Sequence, residues 1–241
     1  MDDLNRDRFA TTQWSLVNAA GHGLSGVARV AMENLCQMYW FPVYAFIRQK
    51  GHSSADAEDL TQAFFMHLLE SDFVKSADRE RGRFRSYLLK SASNFVAADH
   101  RSQNAQKRGG GRTQLSLDFE SGERAYRQLA SDSISPDHLF ERRWAETLLQ
   151  NVRTILRTEY EDRNLGKMFE LLEPHLNLDD GRVPYSQLVS ELNMTEDAIK
   201  QAARRMKLRF RELLRASIAS TVESKDHVDE ELSHLINILA N

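Results

Sequence analysis

Residues 196–215 carry a concentration of cationic side chains that is typical of binding to a polyanion. Seven Lys and Arg residues stand here against three acidic residues, in a chain whose net charge is −3. Lys, Arg and Gln donate hydrogen bonds to base edges in the major groove, and Lys and Arg also pair with phosphates. A solvated helix face would show the same pattern, so both interpretations stay open. The predicted base-contacting or flanking side chains are Lys200, Gln201, Arg204, Arg205 and Lys207, with Arg209 and Arg211 further along facing phosphates.

A second basic segment, residues 79–112, holds nine cationic side chains against two acidic ones. Here Arg residues alternate with Phe84 and Tyr87, and Asn94 follows. Aromatic rings stack unpaired bases while Arg residues hold the backbone of a single strand. The segment therefore predicts a single-strand site, and the alternative is that its aromatic residues are the core of an amphipathic helix.

Two helices joined by a tight turn are predicted to position the first cationic cluster. The first helix should run from about Tyr185 to Leu192, with a turn at Asn193 and Met194 and with Thr195 capping the second helix. Apolar residues of the second helix recur at steps of four and three, which predicts one buried seam and an outward cationic face. The seam residues are Ile199, Ala203, Met206, Phe210 and Leu213.

The remaining composition predicts an all-α chain, because Leu, Ala, Arg, Glu and Gln predominate and strand-like alternation is scarce. The 241 residues suffice for two small helical domains, predicted over 8–108 and 136–217. Gly, Ser and a lone Pro mark 109–135 as a flexible linker. An acidic extension, 218–241, should end in a short amphipathic helix. The apolar face of that helix is predicted to contain Val228, Leu232, Leu235, Ile236 and Leu239.

Within the first domain the sequence predicts a short helix at 12–20 and a longer helix that Pro42 kinks or interrupts and Gly51 ends. Ser53 should cap the next helix, with Asp56 three residues later completing a capping box. That helix should bury a stripe consisting of Ala57, Leu60, Phe64 and Leu68.

Several classes of protein are disfavoured by what the sequence lacks. The single cysteine, Cys36, allows no internal disulfide and suits a reducing cytoplasm. No apolar run reaches membrane-spanning length, and the charged start of the chain does not resemble a signal peptide. The histidines have no metal-ligand spacing, and GGGR at 109–112 lacks the Lys-Ser/Thr of a phosphate-binding loop. We therefore expect no enzyme activity, no metal and no cofactor.

Taken in order, three segments resemble an extracytoplasmic-function (group IV) sigma factor of bacterial RNA polymerase. DAEDLTQAFFMHLLE is similar to the second-region helix of that family, and FRSYLLKSASNF is similar to its promoter-melting helix, with Tyr87 in place of the usual Trp. PYSQLVSELNMTEDAIKQAARRMKLRFRELL resembles the fourth-region helix-turn-helix. FATTQW, YWFPVYAFIRQKG and AQKRGGGR resemble a long-linker subgroup. The resemblance spans most of residues 10–215.

The resemblance implies two small helical domains joined by a tether. The first domain would bind the clamp coiled coil of the largest polymerase subunit and would melt the −10 element, with a loop at 78–83 holding a flipped base. The second domain would read the −35 element of promoter DNA through the cluster at 200–207. The implied polymerase contacts are Glu58, Asp59, Gln62 and Met66. The implied −10 contacts are Arg83, Phe84, Arg85, Tyr87 and Asn94.

Alternatives to this assignment are a helix-turn-helix regulator that binds duplex DNA alone, and a sigma-like adaptor that only binds proteins. Residues 54–95 favour the sigma factor over a regulator, because a regulator needs neither a polymerase-binding helix nor a melting segment. An inhibitory partner of the anti-sigma type is also expected by resemblance. The acidic extension would fold back on a basic face, bind a regulator or simply pack as a terminal helix, and simple packing is the expectation.

Overall fold

The computed structural model describes residues 26–70, 84–103, 117–129, 134–176, 183–219, 222 and 227–240. Nearly all of these residues are helical and none lies in a strand, so the predicted all-α fold is confirmed. The predicted helix at 12–20 and the predicted loop at 78–83 lie outside the described residues.

The chain divides into two compact units. The first comprises Met1–Thr147 and Ile218–Asn241, and the second comprises Leu148–Ser217. Both boundaries fall inside helices, namely α5 (Pro136–Glu161) and α8 (Glu196–Ala219). This division differs from the predicted one, which placed a boundary linker at 109–135 and a separate extension at 218–241. Both of those segments belong to the first unit, because the parts of them that are described pack on its helices.

The first unit begins with α1 (Gly26–Gln49), whose second half is buried on nearly every side. The sequence predicted that Pro42 would kink or interrupt this helix. Pro42 lies inside α1 and does not interrupt it, so the second alternative is wrong. Burial of Val43, Tyr44 and their neighbours outweighs the one backbone hydrogen bond that proline removes. Gly51 follows with φ 94°, a left-handed conformation that favours glycine, so the predicted helix stop is confirmed.

Two further helices, α2 (Ser54–Glu70) and α3 (Phe84–Gln103), complete the part of the first unit that precedes residue 104. Ser53 caps α2 as predicted. Its Oγ accepts from the Asp56 amide at 3.1 Å and donates to Asp56 Oδ2 at 2.7 Å. The predicted stripe on α2, which consists of Ala57, Leu60, Phe64 and Leu68, is buried.

Residues 119–129 of the predicted linker form a helix, α4 (Phe119–Leu129), that packs against α1. The ring of Phe119 lies 5.3 Å from Trp40 and 5.5 Å from Tyr44, measured between centroids. Glu123 accepts from Tyr44 at 2.6 Å and from Arg48 Nε at 2.9 Å. These contacts hold the pKa of Glu123 down at about 2, chiefly through the hydrogen bond from Arg48. The linker prediction is corrected here, because aromatic and ionic contacts to α1 stabilise a segment of weak helix propensity.

Replacing Gly122 of α4 by Ala is expected to destabilise the first unit by about 1–3 kcal/mol, as overpacking does. A Cβ atom at Gly122 would lie 2.7 Å from Trp40 Cη2 and 2.9 Å from Cζ3, so the indole ring or α4 must shift. Urea unfolding measures the change. Gly166→Ala is the control, since a Cβ there meets only Glu161 Cγ at 3.7 Å. Equal stability of the two variants would contradict the tight packing of α4.

The second unit is built around the C-terminal part of α5, which is followed by α6 (Gly166–Leu172) and a 3-10 turn, Glu173–Leu176. A second 3-10 turn, Tyr185–Leu188, leads into the short α7 (Val189–Leu192) and then α8. These elements enclose one apolar core. Its buried members include Val152, Leu156, Phe169, Leu172, Leu188, Ile199, Ala203, Met206 and Leu213.

The acidic extension ends in α9 (Val228–Ala240), which belongs to the first unit. Its buried side chains are Val228, Glu231, Leu235 and Ile238. Ile236, predicted on the apolar face, is 62% exposed, so that part of the prediction is wrong. The buried face follows steps of three, four and three residues and includes a glutamate, which a purely hydrophobic pattern does not select.

Candidate nucleic-acid interface

The turn and the start of the second helix have the local geometry that the sequence predicts, whereas the predicted first helix is a 3-10 turn, Tyr185–Leu188, followed by the four-residue α7. Asn193 adopts φ 50° and ψ 45°, and the Met194 amide donates to the Val189 carbonyl at 3.3 Å. Asparagine tolerates this left-handed conformation better than most residues with a side chain. Thr195 Oγ1 accepts from the Ala198 amide at 3.3 Å and thereby caps α8. The chain therefore turns sharply before the cationic helix.

The apolar seam of α8 is buried as predicted and fixes which side chains face outward. Ile199, Ala203, Met206 and Leu213 are buried, and Phe210 is half-buried. The five predicted contact residues are all exposed on the remaining surface of the helix: Lys200, Gln201, Arg204, Arg205 and Lys207. We call these five residues the α8 face. They lie on one rigid helix, which holds them at a constant spacing.

Acidic residues at the start of α8 partly neutralise one member of this face. Lys200 Nζ lies 2.8 Å from Glu196 Oε1 and 3.7 Å from Asp197 Oδ1. The hydrogen bond to Glu196 raises the pKa of Lys200. Carboxylates in the first turn also stabilise the helix through its dipole. Lys200 therefore contributes less to the positive potential of the α8 face than Arg204, Arg205 and Lys207 do.

Arg209 has a structural role that the sequence prediction missed. Its Nε and Nη2 donate to the two carboxylate oxygens of Glu159 at 2.9 and 2.6 Å, and its Nη1 donates to Glu212 at 3.0 Å. This bidentate pair raises the pKa of Arg209 and links α8 to α5 within the second unit. Its guanidinium is therefore engaged by two carboxylates in the free chain, and its phosphate contact stays a prediction.

On α2, the predicted polymerase contacts form one strip along the helix. Asp59 is exposed, and Glu58, Gln62 and Met66 are partly exposed. Spacings of three and four residues place these side chains next to one another on the helix surface. The opposite side of α2 is occupied by the buried stripe. The strip therefore offers one carboxylate-rich surface with an amide and a thioether beside it.

On α3, the predicted −10 contacts divide into buried and accessible side chains. Asn94 is exposed and Tyr87 is half-buried, whereas Arg83 lies outside the described residues. Phe84 is buried, with its ring edge-to-face against Tyr39 at 5.3 Å. Arg85 is only 2% exposed. In this structure Phe84 and Arg85 contact protein, so the expectation that they present an open surface is corrected.

Arg85 is surrounded by aromatic and acidic side chains of the first unit. Its guanidinium forms an ion pair with Glu231 of α9, lies 4.6 Å from the centroid of the Trp144 ring and approaches Glu141 Oε1 at 3.5 Å. Glu141 Oε2 also lies 2.9 Å from His234 Nε2. Burial raises the pKa of the nearby Tyr39, which keeps that phenol neutral. The sequence contains one signal for this cluster, because Glu231 lies at a position of α9 where helical spacing predicts a buried apolar residue.

Comparisons with known proteins match one part of the chain. Neither the curated proteins nor the solved structures contain a match. Among the described residues, no helix combines the length and apolar character needed to cross a membrane. Residues 37–106 match the family described as Sigma-70 region 2, and this range includes α2, α3 and the second half of α1. These helices are therefore similar to Sigma-70 region 2, and this similarity supports a sigma-70 family assignment.

Proposed function

We propose that the chain is an extracytoplasmic-function (group IV) sigma factor of the long-linker subgroup. It binds core RNA polymerase, melts the −10 element of a promoter and reads the −35 element. The observation that carries the proposal is the combination, in one chain, of a region 2 match with a separate helix-turn-helix unit that exposes a cationic helix face. Its role is binding, with no catalytic step.

In this proposal the strip on α2 contacts the clamp coiled coil of the largest polymerase subunit. Asp59 supplies an exposed carboxylate that accepts charge-assisted hydrogen bonds from basic side chains. Glu58 and Gln62 extend the polar contact, and Met66 supplies adaptable apolar surface. These groups share one helix, so they reach the partner as a preformed set.

Promoter melting is assigned to the surface of α3. Unstacking a base costs a few kcal/mol, and a protein site that binds only the extruded base favours the open duplex. Tyr87 supplies a ring for stacking, and exposed Asn94 supplies donors and acceptors for a base edge. Arg83, Phe84 and Arg85 remain predicted members of this site.

Recognition of the −35 element is assigned to the α8 face. Lys200, Gln201 and Arg204 lie in the first half of the helix, which enters the major groove in helix-turn-helix proteins. Arg205 and Lys207 lie closer to the flanking phosphates and set the position of the helix without reading sequence. An inhibitory protein of the anti-sigma type is proposed as a further partner.

Reconstitution with core polymerase tests this function. The purified chain is mixed with core enzyme, promoters are enriched from a genomic fragment library, and run-off transcription is measured on the enriched fragments. Initiation from a shared −35/−10 pattern is expected. Duplex binding without polymerase recruitment would identify a helix-turn-helix regulator instead, and polymerase binding without initiation would identify an adaptor.

Arg204→Ala is expected to weaken binding to an enriched −35 duplex by about tenfold to a hundredfold while leaving random duplex nearly unchanged, since base contacts provide about 1–3 kcal/mol of discrimination. Lys207→Ala should weaken both duplexes alike and lower the slope of log affinity against log salt by about one, because one phosphate contact is lost. Fluorescence anisotropy at several salt concentrations separates the two effects. Equal losses for both variants on both duplexes would remove the assignment of Arg204 as a base reader.

A further inference from the structure

We propose that α9 is an autoinhibitory segment. Its Glu231 pairs with the guanidinium of Arg85 and so competes with single-stranded nucleic acid for binding at the start of α3. The inference rests on the proposed function, because it takes α3 as the melting helix. It assigns the acidic extension a role that the family match, which ends at residue 106, does not cover.

The chemistry of the contact favours competition with a phosphate. An Arg side chain presents a planar set of donors that suits carboxylate and phosphate oxygens alike. Glu231 is fully buried and Arg85 is 2% exposed, so no anion from solution reaches this guanidinium while α9 is in place. Trp144 and Glu141 approach it from α5. Arg85 therefore becomes accessible to a nucleic-acid strand only when α9 moves away.

The buried apolar surface of α9 is small enough for its packing to be reversible. Three apolar side chains of α9 are buried, namely Val228, Leu235 and Ile238. The helix has 13 residues, and a helix of that length is marginally stable without packing. The helix therefore depends on its packing against the rest of the first unit, which includes the side-chain contacts of Glu231 and His234.

Two polar side-chain contacts connect α9 to the rest of the first unit. Glu231 contacts Arg85, and His234 contacts Glu141, which also faces Arg85. Release of α9 removes the Glu231 carboxylate from Arg85, which lowers the negative charge around the guanidinium. A nucleic-acid phosphate can then replace the carboxylate that has left.

The test compares Glu231→Gln with Glu230→Gln in the 241-residue chain. Both variants remove one negative charge from the first turn of α9, but Glu230 is exposed and Glu231 is buried. The probe is a fluorescein-labelled pool of random 30-nucleotide single-stranded DNA, followed by anisotropy without polymerase. We expect Glu231→Gln to bind about tenfold more tightly than wild type and Glu230→Gln, because apparent affinity scales with the released fraction.

A second substitution shows whether Arg85 is the group that α9 covers. Combining Arg85→Gln with Glu231→Gln should return the affinity to the wild-type level. Hydrogen exchange should show faster exchange of α9 amides in Glu231→Gln than in Glu230→Gln. If circular dichroism shows Glu231→Gln to be unfolded, Ile238→Ala loosens α9 without changing charge and should give the same gain.

The inference is overturned if the loosened variant binds no better than Glu230→Gln, if the gain persists without Arg85, or if none of the variants binds single strands. These results are independent of the reconstitution described above. Polymerase-directed initiation by a chain whose α9 variants show no gain would reject autoinhibition alone. A gain in single-strand binding without any initiation would reject the proposed sigma function alone.

Discussion

Arg85→Ala is expected to reduce the free energy of unfolding of the first unit by about 3–5 kcal/mol, since removal of one partner leaves the other charge buried. Glu231 has no exposed surface, so its carboxylate cannot regain water without displacement of α9. The substitution also removes the cation–π contact with Trp144. Chemical denaturation followed by circular dichroism measures the loss.

Arg127→Ala is the matched control for that loss. Arg127 pairs with Glu123 at 2.9 Å across one helical turn, but its side chain is 72% exposed. Exposed pairs of this kind contribute roughly 0.3–0.5 kcal/mol. The double variant Arg85→Met with Glu231→Leu should recover most of the stability, because apolar residues can replace a buried pair. Equal unfolding midpoints for Arg85→Ala and Arg127→Ala would contradict the buried pair.

Asp59→Ala is expected to weaken binding to core polymerase by about thirtyfold, the effect of truncating an interface residue that contributes about 2 kcal/mol. On the proposed role, the lost carboxylate leaves basic groups of the clamp without an acceptor. Asp59 is exposed in the free chain, so folding stability should change little. Titration of labelled core enzyme measures the affinity.

Asp162→Ala controls for the loss of one negative charge, since Asp162 is exposed in the second unit and lies far along the chain from α2. Its affinity for core polymerase should match that of the wild type. If Asp59→Ala and Asp162→Ala bind core enzyme equally well, the strip on α2 is not the polymerase contact.

The parts of the structure that local sequence determines were predicted well. The helix-turn-helix depends on Asn193 and Thr195 and on a seam with helical spacing, and all of these signals lie within a few residues of the elements they define. The capping of α2 by Ser53 is equally local. The positions of the side chains on the α8 face follow directly from the seam, although their function remains a prediction.

The features that the sequence did not reveal depend on contacts between distant residues. In the sequence Gly122 resembles a linker residue, but in the structure Trp40 packs directly against it. Arg85 and Arg209 resemble DNA contacts because cations are usually exposed, yet Glu231 and Glu159 engage them. No periodicity within one segment identifies a partner in another. Assignments of function to individual cations are therefore the least determined part of a sequence prediction for this chain.

The discontinuous first unit has a consequence for how the protein is made. Helix α9 leaves the ribosome after helices α1 to α8, and Arg85 and Trp144 emerge long before the carboxylate of Glu231. Domains generally fold during synthesis in order of emergence. The second unit, Leu148–Ser217, is one continuous stretch and is complete before α9 appears. The nascent chain thus passes through a stage in which its helix-turn-helix unit is finished while Arg85 has not yet met Glu231.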